Sequence, residues 1–364
     1  MKKNTDGKFL SRIAKLVFIL LVLSILVYIL AVNNVYVADF INETVSVAFR
    51  YILAYATYIF PFSVFETLLI LLPAIIVLLA VIFVKAGAKA RTRRRVLLSL
   101  FTVVSLIITS YIFTLGVGYR TSTFSQKTGI EDRKNITAEE LYETTLTVRD
   151  ELSALAPLVE ERSGESIMPY SFDELNQLIV SAYDAMNDEY GLLTNFTSRA
   201  KPVYFSTVMS DLRIGGIYSF FTGEANVNME YPDYNLPYTV AHELAHQRGI
   251  CRENEANFVA FLVCIASDDV YIRYSGYLNL YEYLASALYR ADKDLYYDVL
   301  AGVPDIAKKD IVASNAVYNA HKDSWLGEWN DKANDAYLKL NGTQGNVTYG
   351  YVVRLAVGYY QNEK

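Results

Sequence analysis

Residues 238–258 read "YTVAHELAHQRGICRENEANF" and hold two of the three histidines in the chain. His242 and His246 lie four residues apart, and Glu243 follows the first. On a helix, residues i and i+4 share a face, so both imidazoles can reach one metal ion. Glu243 falls about 100° round the helix, on the flank where a water molecule would sit. A carboxylate there can take a proton from that water and pass it to a leaving amine. Tyr238, Val240, Ala241, Leu244 and Ala245 are apolar or small, which predicts a buried helix. A catalytic zinc site needs three protein ligands and one open position. His321 is the only other histidine, and the downstream carboxylates are better placed. Gly249 can turn the chain, so that a second helix from about Glu253 to Ile265 brings Glu253 back to the metal. Glu255 is the competitor, but it lies on a different helical face. Glu253 is favoured because Asn257, at i+4, offers an amide that can support it.

Upstream of this pair the pattern changes. "KPVYFSTV" (201–208) and "GGIYSFFTGEANVNMEY" (215–231) are rich in β-branched and aromatic residues, with Gly and Asn punctuation, and predict strands. Pro237 is well placed to open the histidine helix. "SFDELNQLIVSAYDAMNDEY" (171–190) predicts a helix with Ser171 as N-cap and Glu174 completing a capping box. A further helix is expected from Asn135 to about Leu158. Beyond Ile265 the chain reads as helical to its end, with a turn region at "LNGTQGNVTYG" (340–350). Residues 119–364 are thus expected to form one mainly α, α+β domain with a small sheet just before the site helix.

The first third is different. The chain of 364 residues is 53% hydrophobic, with a mean hydropathy of +0.19, and the apolar excess is concentrated in residues 13–118. Leu16 to Ala38, Thr67 to Val84 and Val96 to Gly118 carry no charge. About 20 such residues cross a bilayer core as a helix, so three spans are expected at about 16–38, 67–84 and 96–118. Pro73 lies inside the second. Residues 45–64, broken by Arg50 and ended by Pro61, predict an interfacial or re-entrant helix, with a fourth span as the alternative. Lys and Arg cluster before the first span and in "KAGAKARTRRR" (85–95). By the positive-inside rule both flanks face the cytoplasm, and three spans place residues 119–364 outside it. A fourth span would invert this. The expected setting is a multi-pass protein of the cell membrane.

The second region also resembles a known group. "HELAH" followed by "ENEANFVAF" looks like the gluzincin metallopeptidases, in which the first motif is completed by a glutamate on a second helix. The resemblance implies Zn²⁺ held by His242, His246 and Glu253, with Glu243 catalytic and Asn257 in place of a usual Asp. The whole plan resembles a family of uncharacterised bacterial membrane proteins with this zincin signature. The chain departs from the metzincin pattern, since Arg252 stands where a third histidine would follow the glycine. By resemblance, "GGIYSFFTGEANVN" would form the cleft edge, and Glu224 and Asn226 are weaker candidates for substrate contact or turn formation.

Net charge is −6, which gives no basic footprint for nucleic acid. The expected partners are a bilayer and a peptide or protein substrate at the cell envelope. Cys251 and Cys264 read as free, partly buried thiols. His321, in "YNAHKDSW", reads as an ordinary surface histidine. Trp325 and Trp329 are expected to pack a core or a membrane-interface face. The leading expectation is a membrane-anchored zinc metallopeptidase. The alternative is a scaffold or sensor that keeps the zinc fold without turnover.

Overall fold

The computed structural model describes residues 2–85, 90–191, 194–343 and 349–362. Part of the basic segment 85–95, and the middle of the turn region 340–350, lie outside the described residues. The chain is mostly helical with a small sheet, and it divides into two units. The first comprises residues 1–121 together with 219–224, and the second comprises 122–218 and 225–364.

The first unit begins with α1 (Lys2–Asn33), α2 (Val35–Glu43) and α3 (Val45–Tyr58), followed by α4 (Val64–Lys85) and α5 (Ala90–Tyr111). A π turn, Ile112–Gly116, extends α5. Three segments are helical, long and apolar enough to cross a bilayer: Leu10–Asn33, Val64–Lys85 and Arg91–Arg120. The chain is thereby marked as membrane-associated. The first segment stops five residues short of the expected Ala38. The side chain of Asn34 accepts hydrogen bonds from the Tyr36 and Val37 N–H groups, which ends α1 and caps α2. Pro73 sits inside α4 without breaking it. The segment expected as one helix over 45–64 is the shorter α3, and Arg50 is buried in it. Its guanidinium donates to the side-chain and backbone oxygens of Asn42 at 2.9 and 2.8 Å. Helices α1 and α5 pack together through Phe18 against Phe101 and through buried Ser24 beside Thr109.

The 219–224 segment, read from sequence as part of the second region, groups with this first unit. The Glu224 carboxylate accepts the N–H of Val64 and Phe65 at 3.0 and 2.7 Å, so it caps α4. The Ser110 hydroxyl donates to the Phe220 carbonyl, and the Thr57 hydroxyl to that of Thr222. Gly223, at φ +72°, lies so close to Leu53 and Ala54 that a Cβ would overlap them.

In the second unit, α6 (Phe124–Thr128) and α7 (Ala138–Leu155) come first. Thr137 and Glu140 form a capping box on α7. A two-stranded hairpin, β1 (Glu161–Arg162) with β2 (Glu165–Ser166), was not anticipated; it turns through Ser163 and Gly164 at positive φ. Helix α8 (Phe172–Tyr190) starts with the expected Ser171 and Glu174 capping box. Next come β3 (Ala200–Val203), α9 (Ser206–Asp211), β4 (Gly216–Ser219) and β5 (Glu224–Asn228). The sheet order is β3-β5-β4, with β3 and β5 parallel, so β4 is an edge. Helices α10 (Asn235–Arg248), α11 (Glu253–Ile265) and α12 (Val270–Ala291) follow, then α13 (Lys293–Ala301), α14 (Asp305–His321), α15 (Trp325–Leu340) and α16 (Tyr349–Asn362). The core of this unit is apolar and close-packed. Val240 and Leu244 of α10, Phe258 and Phe261 of α11, and Leu278 of α12 are wholly buried in it.

Candidate metal centre

Nearly every residue of α10 from Leu236 to Arg248 is buried, which fixes the helix and leaves its histidines little freedom. Several polar bonds hold it in register. The Tyr183 hydroxyl donates to the Ala241 carbonyl, and the Ser275 hydroxyl accepts the Tyr238 N–H. Arg248, fully buried, lies over the Tyr183 ring at 4.2 Å and donates to Asn195 and to the Phe196 and Leu244 carbonyls. Burial pulls its guanidinium down to about 10.

Gly249 ends α10 at φ 101°, a conformation that suits glycine. This turn has two jobs. The Ile250 N–H bonds the Ala245 carbonyl, and the Ile250 carbonyl lies 2.7 Å from His246 Nδ1. With Nδ1 donating there, His246 presents the Nε2 lone pair to the centre. Three residues after Ile250, α11 begins at Glu253. Its Oε2 lies 3.3 Å from His242 Nε2 and 3.5 Å from His246 Nε2, and the two Nε2 atoms are 3.1 Å apart. His242, His246 and Glu253 therefore form a group able to hold a metal ion. No fourth His, Cys, Asp or Glu joins it among the described residues.

The electrostatics of this group are strongly coupled. Burial pushes the Glu253 carboxyl up, but His246 and His242 outweigh it and hold it well below the usual carboxylate range. Burial pulls His246 down, but Glu253 outweighs it and lifts the imidazole to about 9. Glu243 is 3% exposed. Burial pushes it up to about 7, against the opposing pull of the two imidazoles.

The edge strand β4 lies directly against Glu243. The Tyr218 N–H bonds its carboxylate, and a Cβ on Gly216 would come within 2.5 Å of Oε1. Among the described residues its other oxygen, Oε2, is buried with no protein partner. Gly216 is thus a site residue that the sequence reading missed. The "GG" pair was the signal, since paired glycines beside a strand admit a close backbone approach.

Glu255 is placed elsewhere. It accepts the Phe124 N–H at 3.0 Å and pairs with Arg252 at 3.1 Å, and so ties α11 to α6. The support expected from Asn257 is absent. Among the described residues its amide makes no hydrogen bond to Glu253, and its backbone carbonyl takes the Tyr238 hydroxyl. Glu224 and Asn226, considered for substrate contact, are 2% and 0% exposed. Asn226 bonds the Ile217 carbonyl and braces the strands instead. His321 is not an ordinary surface histidine: it is held between Asp211 at 2.8 Å and Glu230 at 3.3 Å, outside the metal-binding group. The bond to Asp211 raises it above the usual imidazole value. Cys251 and Cys264 are both free and buried.

Residues 42–357 match a family model described as a protein of unknown function, DUF3810. No curated protein and no solved structure matches the chain.

Proposed function

The chain belongs to the DUF3810 family of proteins of unknown function, and we propose that it is a membrane-anchored, zinc-dependent metallopeptidase with a zincin-like second unit. The observation that carries the reading is the spacing of three donor atoms. Ligand atoms bound to zinc at about 2.0–2.1 Å in a tetrahedron are separated by about 3.3–3.4 Å. The three separations here are 3.1, 3.3 and 3.5 Å. The donor set of two imidazoles and one carboxylate suits zinc, and three protein ligands leave a fourth position for water or substrate. Zinc bound there would supply Lewis-acid chemistry, acidifying water and polarising a carbonyl.

The chain's own residues supply the remainder. Glu243 is fixed by the Tyr218 N–H and by the roof at Gly216. Its Oε2 is the atom that receives a proton from the attacking water and later delivers it to the leaving amine. The Ile250 carbonyl keeps His246 in the tautomer that coordinates through Nε2. Glu253 supplies the negative charge that makes the site selective for a cation.

The test is metal content and hydrolysis on the purified full-length chain. We expect about one zinc per chain. Glu243→Gln should keep that zinc and lower peptide hydrolysis by at least about 100-fold. Full activity in Glu243→Gln, or wild-type protein that takes up no zinc, would refute the proposal.

A further inference from the structure

Both tryptophans of the chain are on α15, and both point away from the protein: Trp325 is 73% exposed and Trp329 is 63% exposed. The core alternative for this pair is therefore excluded. The amphipathicity of α15 is inverted relative to an ordinary surface helix. Its packed face is largely polar, with Leu338 as its buried apolar side chain. The Asn330 amide donates to the Leu212 carbonyl at 2.9 Å, Asp331 pairs with Arg213, and Gly327 lies against the Asp211 backbone. Its outer face carries Trp325, Trp329, Ala333 and Ala336 at i, i+4, i+8 and i+11, all exposed. Exposed Lys332, Lys339 and Glu328 border that stripe, and Lys339 pairs with Asp335 at 2.6 Å.

We propose that α15 lies in the lipid–water interface of the membrane that anchors the chain, with Trp325 and Trp329 as its anchors. Three observations select lipid over other occupants. The residue types are those of an interfacial helix: indole rings with an apolar body and one N–H donor, beside lysines whose stems can reach toward headgroups. The second unit begins at Ser122, directly after the bilayer-length apolar segment that ends at Arg120, so no linker separates it from a bilayer. Finally, the stripe is one helix wide. Sixteen residues at 1.5 Å rise and about 10 Å width offer roughly 240 Å², far below the about 800 Å² per partner of a stable dimer. This inference is independent of the zinc reading and survives its failure.

Because the chain has no other tryptophan, its tryptophan emission, excited beyond the absorption band of the 30 tyrosines, reports on this helix alone. The experiment uses the full chain in vesicles of phosphatidylcholine and phosphatidylglycerol at about 3:1. Acyl chains brominated at shallow positions serve as quencher, and iodide is present on both faces. We expect brominated lipid to lower the emission by roughly twofold and iodide to quench it weakly. The single variants Trp325→Phe and Trp329→Phe should each retain quenching by the lipid. Emission that ignores brominated lipid while iodide quenches it fully would overturn the proposal. So would shielding from iodide that develops only as the protein-to-lipid ratio rises, which would mark a second copy as the occupant.

Discussion

Glu253 and Glu255 are two residues apart, yet their environments assign them different work. Glu253 faces two imidazoles, while Glu255 faces Arg252 and the start of α6. Removing the first should therefore cost metal, and altering the second should cost stability. We predict that Glu253→Ala weakens zinc binding by about 100-fold or more, measured by competition with a chromophoric chelator. Glu255→Gln should keep zinc at one per chain and lower stability by about 2 kcal/mol, since Arg252 loses its charged partner. Equal loss of zinc in both variants would contradict this division. Gly216 gives a third residue-scale prediction. A methyl group there would come within 2.5 Å of Glu243 Oε1, and either β4 or the carboxylate must shift. Gly216→Ala should lower hydrolysis by at least about 10-fold while zinc content stays unchanged, because the atoms nearest the added methyl all belong to Glu243, which is not a metal-binding side chain. Lost zinc in that variant would mean that β4 also shapes the metal-binding side chains.

At the scale of elements, what was legible in the sequence is what is encoded locally. The capping box of Ser171 and Glu174 spans three residues, the two histidines span four, and Gly249 lies between two helical patterns that its turn joins. Each can be read without knowing the rest of the fold. The misses are long-range. Glu255 finds Phe124 across 131 residues, and Glu224 finds Val64 across 160. No local period announces such pairs. The break at Asn34 was a different miss, in which side-chain capping overrode an unbroken apolar run. The long-range pair on α12 has a testable consequence. Glu282 accepts the Tyr234 hydroxyl at 2.9 Å, and burial pushes its carboxyl up to about 7 from the usual 4.5. A carboxyl raised in the folded state favours folding below its unfolded value, and that contribution is lost as pH rises through the folded value. Between pH 4.5 and 7 the folded chain therefore loses about 2–3 kcal/mol through this one group. Glu282→Gln keeps an acceptor for Tyr234 and removes the titration. Thermal unfolding in one detergent should show wild type and variant melting together at pH 4.5. At pH 7.5 the variant should melt about 5–10 °C higher. A pH-independent offset between the two would exclude Glu282 as the source.

For the molecule as a whole, the side of the membrane on which the metal centre works depends on how many helices cross. Helix α3 has 14 residues and a rise of about 21 Å, short of the about 30 Å hydrocarbon core, and its Arg50 is buried against Asn42. That favours three crossings over four. With three, the basic residues before the first segment and after the second share one face, and residues from Ser122 onward lie on the other. The chain suits a labelling test, because both native cysteines are buried and give little background. Arg94→Cys reports on the basic segment, and Glu151→Cys, exposed on α7, reports on the second unit. In sealed vesicles of cytoplasmic-face-out orientation, a membrane-impermeant maleimide should label Arg94→Cys and spare Glu151→Cys until detergent opens the vesicle. In intact cells the order should reverse. The reversed pattern, with Glu151→Cys labelled in these vesicles and Arg94→Cys labelled in intact cells, would require a fourth crossing. It would also place the proposed peptidase in the cytoplasm, with a different set of proteins within its reach.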